Sequence, residues 1–171
     1  MSSPNTASLR ELLDAERLEP LLTALLTERD AALRSSGRRL PILLKVSPDL
    51  HAAGLQAVAA IALRSGLDGL IATNTTLQKD SGSAQGLSDA GGLSGAPLHP
   101  LALSAVSALR AAAGPKIAIV GVGGIDSAEK ALAMRRAGAD LVQLYTGLVY
   151  EGPALIGQCA DALRQQSADG P

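Results

Sequence analysis

Four short apolar runs alternate with stretches of helical periodicity, and that alternation constrains the fold more than any other feature of the 171 residues. The runs are PILLKVSP (41–48), DGLIAT (68–73), KIAIV (116–120) and DLVQLY (140–145). Each is too short for a core helix and reads as a buried strand. Between the first two, Leu55, Val58, Ala59 and Ala62 share one face of a helix over 51–65. Further helices span about 100–112 and the stretch after the glycines at 121–124. A helix from Leu9 to about Arg34, with a break at Pro20, precedes the first strand. Another, from near Pro153 to about Gln166, follows the last strand and leaves 167–171 as a frayed tail. Strict alternation implies parallel strands joined by right-handed crossovers. Four such units make either a small open sheet or half of an eight-stranded barrel, whose usual length is about 250 residues.

Composition removes several classes of function. The formal net charge is -1, and the aromatics are two Tyr with no Phe or Trp. Neither a basic surface nor a base-stacking platform is available, so nucleic acid is not an expected partner. The lone Cys159 excludes an internal disulfide and reads as a core residue of the last helix. No apolar run approaches the roughly 20 residues of a membrane span, and no secretory signal pattern opens the chain. His51 and His99 read as surface residues near helix starts, without the partners a metal site needs.

In a parallel sheet or barrel, ligands gather where the strands end. The first run carries Lys45 and closes on Ser47; the second ends in Thr73-Asn74-Thr75-Thr76; the third in Gly121 to Gly124; the fourth in Tyr145-Thr146-Gly147. Gly123 and Gly124 bare their amides just before a helix, an arrangement that suits an anion. Asp126 is the expected N-cap of that helix, with Glu129 completing a capping box. Thr146 and Gly147 can close the same pocket. The competing reading is that the glycines merely permit a tight turn. The spacing is not the G-x-G-x-x-G of a dinucleotide fold. Lys45, inside a buried strand, should face an anionic group or ligand, because an unpaired buried ammonium is costly. The loop over 74–99, which contains GGLSG, is long enough to suggest a functional role.

Taken in order, SSPNT, PILLKVSPDL, DGLIATNTT, GGLSGAPL, IVGVGGIDSAEKA and AGADLVQLYTGLVYEGPALI resemble the C-terminal half of the dihydroorotate dehydrogenase family. The resemblance covers nearly the whole chain. It points to the class 2, quinone-using branch, because Ser2-Ser3-Pro4-Asn5 stands where class 1 enzymes have SCPN. It implies an α/β fold, the second half of an FMN-containing (β/α)8 TIM barrel, with 1–171 as a single partial domain. It implies oxidation of dihydroorotate to orotate in pyrimidine biosynthesis. By the same resemblance Ser3 is the catalytic base, with Thr6 as its relay, and Asn5, Asn74 and Thr75 hold the substrate. Lys45, Thr73, Gly95, Gly124, Tyr145 and Thr146 hold FMN, with Lys45 beside the flavin's pyrimidine edge.

SSPNT normally follows the fourth barrel strand, so the chain is expected to lack strands one to four and the membrane-associating segment of class 2 enzymes. It is then expected to be inactive alone and to self-associate through open sheet edges. Its expected location is the cytoplasm or the inner face of a bacterial-type membrane. The alternatives are a noncatalytic phosphate- or flavin-binding or interaction remnant, and an FMN-barrel oxidoreductase of the dihydropyrimidine dehydrogenase type. Ser3 in place of cysteine argues against the second.

Overall fold

The computed structural model describes residues 2–3, 6, 9–79 and 91–168. Four strands, β1 (Leu43–Val46), β2 (Gly69–Ala72), β3 (Ala118–Val122) and β4 (Leu141–Gln143), pair in parallel in the order β1-β2-β3-β4. The helices are α1 (Ala15–Ser36), α2 (Ala52–Ser65), α3 (His99–Ala113), α4 (Ala128–Arg136), α5 (Thr146–Glu151) and α6 (Ala154–Ala168). A 3-10 turn, Leu9–Leu13, leads into α1.

Side-chain alternation separates the two faces of the sheet. Leu44, Val46, Leu70, Ala72 and Ile119 point one way and are at most 3% exposed. They form one core with Val58 and Ile61 of α2, Val106 and Leu109 of α3, and Met134 of α4. Register places Lys45, Ile71, Val120 and Leu141 in one row of the opposite face. That row is half-buried, and Leu141 is 63% exposed. A doubly wound sheet would bury both faces and read as continuous apolar burial. Here the helices cover one face only, which is the wall of a barrel. The open alternative left by the periodicity is thereby settled.

Local structure departs from expectation at several points. Pro20 does not break α1, which runs through it. The proline sits in the second turn, and the hydrogen bond it forfeits is to the carbonyl of Glu16; both residues are exposed, so water can satisfy that carbonyl. The N-cap of α4 is Ser127, whose hydroxyl accepts from the Lys130 N–H, while Asp126 pairs with the Lys130 ammonium at 2.7 Å. β3 extends to Val122, two residues further than its apolar run, because it is hydrogen-bonded to a neighbour on both sides. The short helix α5 was not legible. Helix α6 continues to Ala168, so 167 and 168 belong to it, and 169–171 lie outside the described residues.

The amino ends of the strands are tied by charge. Arg110 donates to the carbonyls of Gly138, Gly114 and Ile117 at 2.9, 2.5 and 3.1 Å and pairs with Asp140 at 2.5 Å. Asp140 also accepts from the Ile119 N–H. Across the sheet, Asp68 accepts from the Ile42 N–H at 2.7 Å and pairs with Arg39 and Arg29 at 2.6 and 3.3 Å. Burial alone would raise the Asp68 carboxyl, but the Ile42 amide and the two guanidinium groups outweigh it and hold it below its ordinary value. A depressed carboxyl contributes stability that is whole above its unfolded value of 3.8 and is lost as pH falls through the folded value. Asp68→Asn is therefore expected to cost about 1–3 kcal/mol at pH 7, since it removes charge-assisted hydrogen bonds. Urea denaturation should show the gap between wild type and variant closing as pH drops below about 4.

Candidate functional site

The carboxyl ends of the strands carry a different chemistry. Beyond β2 the ladder continues for two residues: the Thr73 N–H donates to Val122 O at 2.7 Å and the Asn74 N–H to Val46 O at 2.9 Å. These two polar residues are thus held between β1 and β3 as firmly as strand residues. The Asn74 amide nitrogen donates to Ser2 Oγ at 3.2 Å, and its oxygen accepts from the Thr75 N–H at 2.8 Å. That contact draws the N-terminal serine segment onto the end of β2. Ser2 is 3% exposed, and Ser3 beside it is half-buried.

A cavity of about 240 Å³ opens at these strand ends. Lys45, Thr73, Asn74, Thr75, Gly95, Gly124, Tyr145 and Thr146 all line it, so eight of the ten residues expected at the site converge. Ser3 lies outside that lining, at the serine segment joined to Asn74 through Ser2. Asn5 lies outside the described residues. Thr6, expected as a relay, is exposed. Tyr145 lines the rim with its side chain 81% exposed, so the ring itself is turned largely to solvent. A larger neighbouring cavity, about 710 Å³, shares Ser94, Gly95, Gly124, Thr146 and Gly147 with the first and extends toward Asp126 and Tyr150.

The bare backbone at VGVGGI answers packing demands of the protein itself. Gly121 lies within β3, where a Cβ would stand 3.0 Å from Ala139 Cβ and 3.1 Å from Met134 Sδ. Gly123 has φ +140, and its Cβ would fall 2.7 Å from Ala102 Cβ of α3. Gly124 has φ +62, and its Cβ would meet the Gly95 carbonyl oxygen at 2.5 Å. Three residues separate Gly124 from α4, whose N-terminus is capped by Ser127. Gly124 still lines the cavity, but its first duty is close packing.

His99 was expected at the surface and is 7% exposed. Its Nδ1 lies 3.0 Å from the Gly123 carbonyl oxygen, which can only accept, so Nδ1 carries the proton. Sequence reasoning missed this because burial of His99 follows from the turn that Gly123 makes against α3. It also missed Ser94, which accepts from the Thr146 hydroxyl at 3.1 Å, and Gln143, which lines the same cavity from β4. His51 is the exposed N-cap of α2, and Cys159 is a buried core residue, both as read from the pattern.

Two observations mark the cavity as a place for a polar ligand. The Thr73 hydroxyl is buried with no hydrogen-bond partner among the described residues. Lys45, half-buried in β1, has no ion-pair partner among the described residues. Unpaired buried polar groups are uncommon and costly.

Strand tips that converge on one cavity, in a sheet whose helices cover only its outer face, define the barrel class of enzyme scaffold. Comparison with known proteins gives the family. The dihydroorotate dehydrogenase family model matches residues 1–166, and the chain belongs to that family. The dihydroorotate dehydrogenase (quinone) of Acidovorax sp. (strain JS42) is 49% identical over 167 residues, 96% of this chain and 47% of that protein. That of Rhizobium etli is 50% identical over 158 residues, 92% of this chain and 44% of that protein. A crystal structure of the Eimeria tenella enzyme in complex with ferulenol superposes with a TM-score of 0.88 at 36% identity, covering 95% of this chain and 47% of that one. The ligand-free form gives 0.85 at 35% identity. The chain spans about half the length of the curated relatives it matches. Its four parallel strands and their helices make the C-terminal half of a (β/α)8 TIM barrel.

The geometry separates residues that hold the turn from residues that face the cavity. Gly124→Ala is expected to lower stability by about 1–3 kcal/mol with no ligand present, because its Cβ has no room. Thr73→Val removes an unsatisfied hydroxyl and is expected to leave the unliganded protein equally stable or about 1 kcal/mol more stable. Thermal denaturation of the two variants in ligand-free buffer checks both signs.

Proposed function

We propose that the cavity is an FMN site and that this chain is one partial barrel domain, spanning 1–171, of a class 2 dihydroorotate dehydrogenase. The reaction of the longer protein is oxidation of dihydroorotate to orotate in pyrimidine biosynthesis, with a quinone as final acceptor. The observation that carries this reading is the convergence of Lys45, Thr73, Asn74, Thr75, Gly95, Gly124 and Thr146 on one cavity at the strand tips. The orphaned Thr73 hydroxyl and the unpaired Lys45 fit a ligand that offers both hydrogen-bonding edges and negative charge. FMN, when bound, supplies the hydride acceptor.

The residues have distinct parts in the proposal. Lys45, on the inner face of β1, places a positive charge against the ring system, where charge develops during the reaction. Thr73 gives a hydrogen bond to the cofactor. Gly95, Gly124, Tyr145 and Thr146 surround its phosphate end, the last held by its bond to Ser94. Asn74 and Thr75 orient the substrate, joined by Asn5. Ser3 takes the substrate proton; as a hydroxyl with an ordinarily high pKa, it needs a dry and well-oriented setting to act as a base.

That setting is incomplete in the chain by itself. The inner row of Lys45, Ile71, Val120 and Leu141 is open along the sheet, so water reaches the space where the substrate would sit. The unpaired edges of β1 and β4 make self-association part of the same proposal. The proposed location is the cytoplasm or the inner membrane face; among the described residues no helix is long and apolar enough to cross a membrane.

Purified chain is expected to quench FMN fluorescence on titration and to show no turnover with dihydroorotate and a soluble quinone. Lys45→Ala and Thr73→Val are each expected to weaken FMN binding by about tenfold, one lost charged or polar contact. Absence of FMN binding to folded wild type would overturn the flavin reading. Robust turnover by the isolated chain would overturn its inactivity.

A further inference from the structure

Two loops, one of them through both of its limbs, meet at one buried threonine. Thr76 is fully buried. Its hydroxyl donates to the Asp49 carboxylate, in the loop after β1, and accepts from the Gln78 N–H at 3.0 Å. The other Asp49 oxygen accepts from the Leu77 N–H at 3.0 Å. Asp49 is itself fixed, its N–H donating to the Ser47 hydroxyl at 3.2 Å, and Ser47 is 2% exposed. On its main-chain side, Thr76 exchanges two hydrogen bonds with Leu93, N–H to O at 3.1 Å and O from N–H at 2.7 Å.

The neighbours of this junction line the cavity. Asn74 and Thr75 precede Thr76, and Ser94 and Gly95 follow Leu93. These two walls come from the two limbs of the loop between β2 and α3, and only the Thr76–Leu93 bridge pairs their main chains in the described structure. A hydroxyl-to-carboxylate hydrogen bond is among the stronger neutral-to-charged contacts. Here it anchors the bridge to a second loop, which begins at the end of the strand that carries Lys45.

We propose that Asp49 and Thr76 are positioning residues, a clamp that sets the spacing between the Asn74–Thr75 wall and the Ser94–Gly95 wall of the cavity. Neither side chain lines the cavity itself. The clamp acts through its covalent neighbours: without it the two walls move apart or slide, and a ligand that must touch both is held less well. In its effect on ligand, the inference rests on the flavin reading above; the coupling of the two walls does not.

The test uses the full chain with Thr76→Val, Thr76→Ser and Asp49→Asn. Amide hydrogen exchange is measured without ligand, and FMN affinity and the visible circular dichroism of bound FMN are measured with it. In Thr76→Val, exchange at Thr75 and at Leu93–Gly95 is expected to accelerate together by about tenfold, while Ile71 and Ile119 in the strands keep their protection. FMN affinity is expected to fall by about tenfold and the dichroism to change, since both walls have shifted. Thr76→Ser keeps the hydroxyl and is expected to restore all three readouts. Asp49→Asn keeps an acceptor without its charge and falls between. A folded Thr76→Val protein with wild-type exchange at both walls overturns the clamp. So does one whose walls loosen while FMN affinity and dichroism stay unchanged. If wild type binds no FMN, the flavin reading falls and exchange alone judges the clamp: walls that loosen together support it, and walls that respond separately overturn it.

Discussion

The site depends on a single packing constraint, the burial of one face of the sheet. Leu44, Leu70 and Ile119 form one outward row, and Val46, Ala72 and Gly121 another, locked against α2, α3 and α4. Side chains alternate along a strand, so a slip of one residue in any strand would exchange its faces. Lys45 would then turn into the helix layer, where an ammonium has no partner. The outward rows thus hold the inward ones in place, and with them the residues that reach the strand tips. Gly121, in an outward row, marks how tight this is, since a Cβ on it would lie 3.0 Å from Ala139 Cβ.

The two ends of the sheet have divided labour. At the amino ends, the Asp68 carboxylate takes one main-chain amide and two guanidinium groups, and Arg110 satisfies three main-chain carbonyls, all by charge-assisted hydrogen bonds. At the carboxyl ends the main chain is satisfied mostly by main chain and neutral side chains, with the Asp49 carboxylate taking the Leu77 N–H, and polar groups such as the Thr73 hydroxyl are left over among the described residues. A barrel can vary its chemistry at one rim because its stability is secured at the other.

Much of the fold was legible because it rests on periodicity. A lysine flanked by Leu44 and Val46 announced an inward-facing charge, and polar runs at the strand ends announced the rim. What was illegible depends on contacts distant in sequence. The burial of His99 follows from the Gly123 turn lodging against Ala102. The continuation of β3 to Val122 follows from its two paired neighbours rather than from hydrophobicity. The capping of α4 by Ser127, with Asp126 drawn to Lys130, turned on a shift of one residue between two good caps. Asp49 and Thr76 were invisible for the same reason: twenty-seven positions apart, they meet only because β1 and β2 are neighbours.

The exposed edge of β4 also bears on how a barrel of this kind assembles. In a closed eight-stranded barrel the final strand pairs with the first, the most remote partner the chain offers. Every junction within β1 to β4 joins strands that follow one another in sequence, so this half can condense from pairings nearer in sequence than that closure. The seam at Leu141 has no such advantage. In a full barrel that seam would close at the largest loop-entropy cost of any strand pairing, whereas in this chain the inward face leaves Leu141 63% exposed.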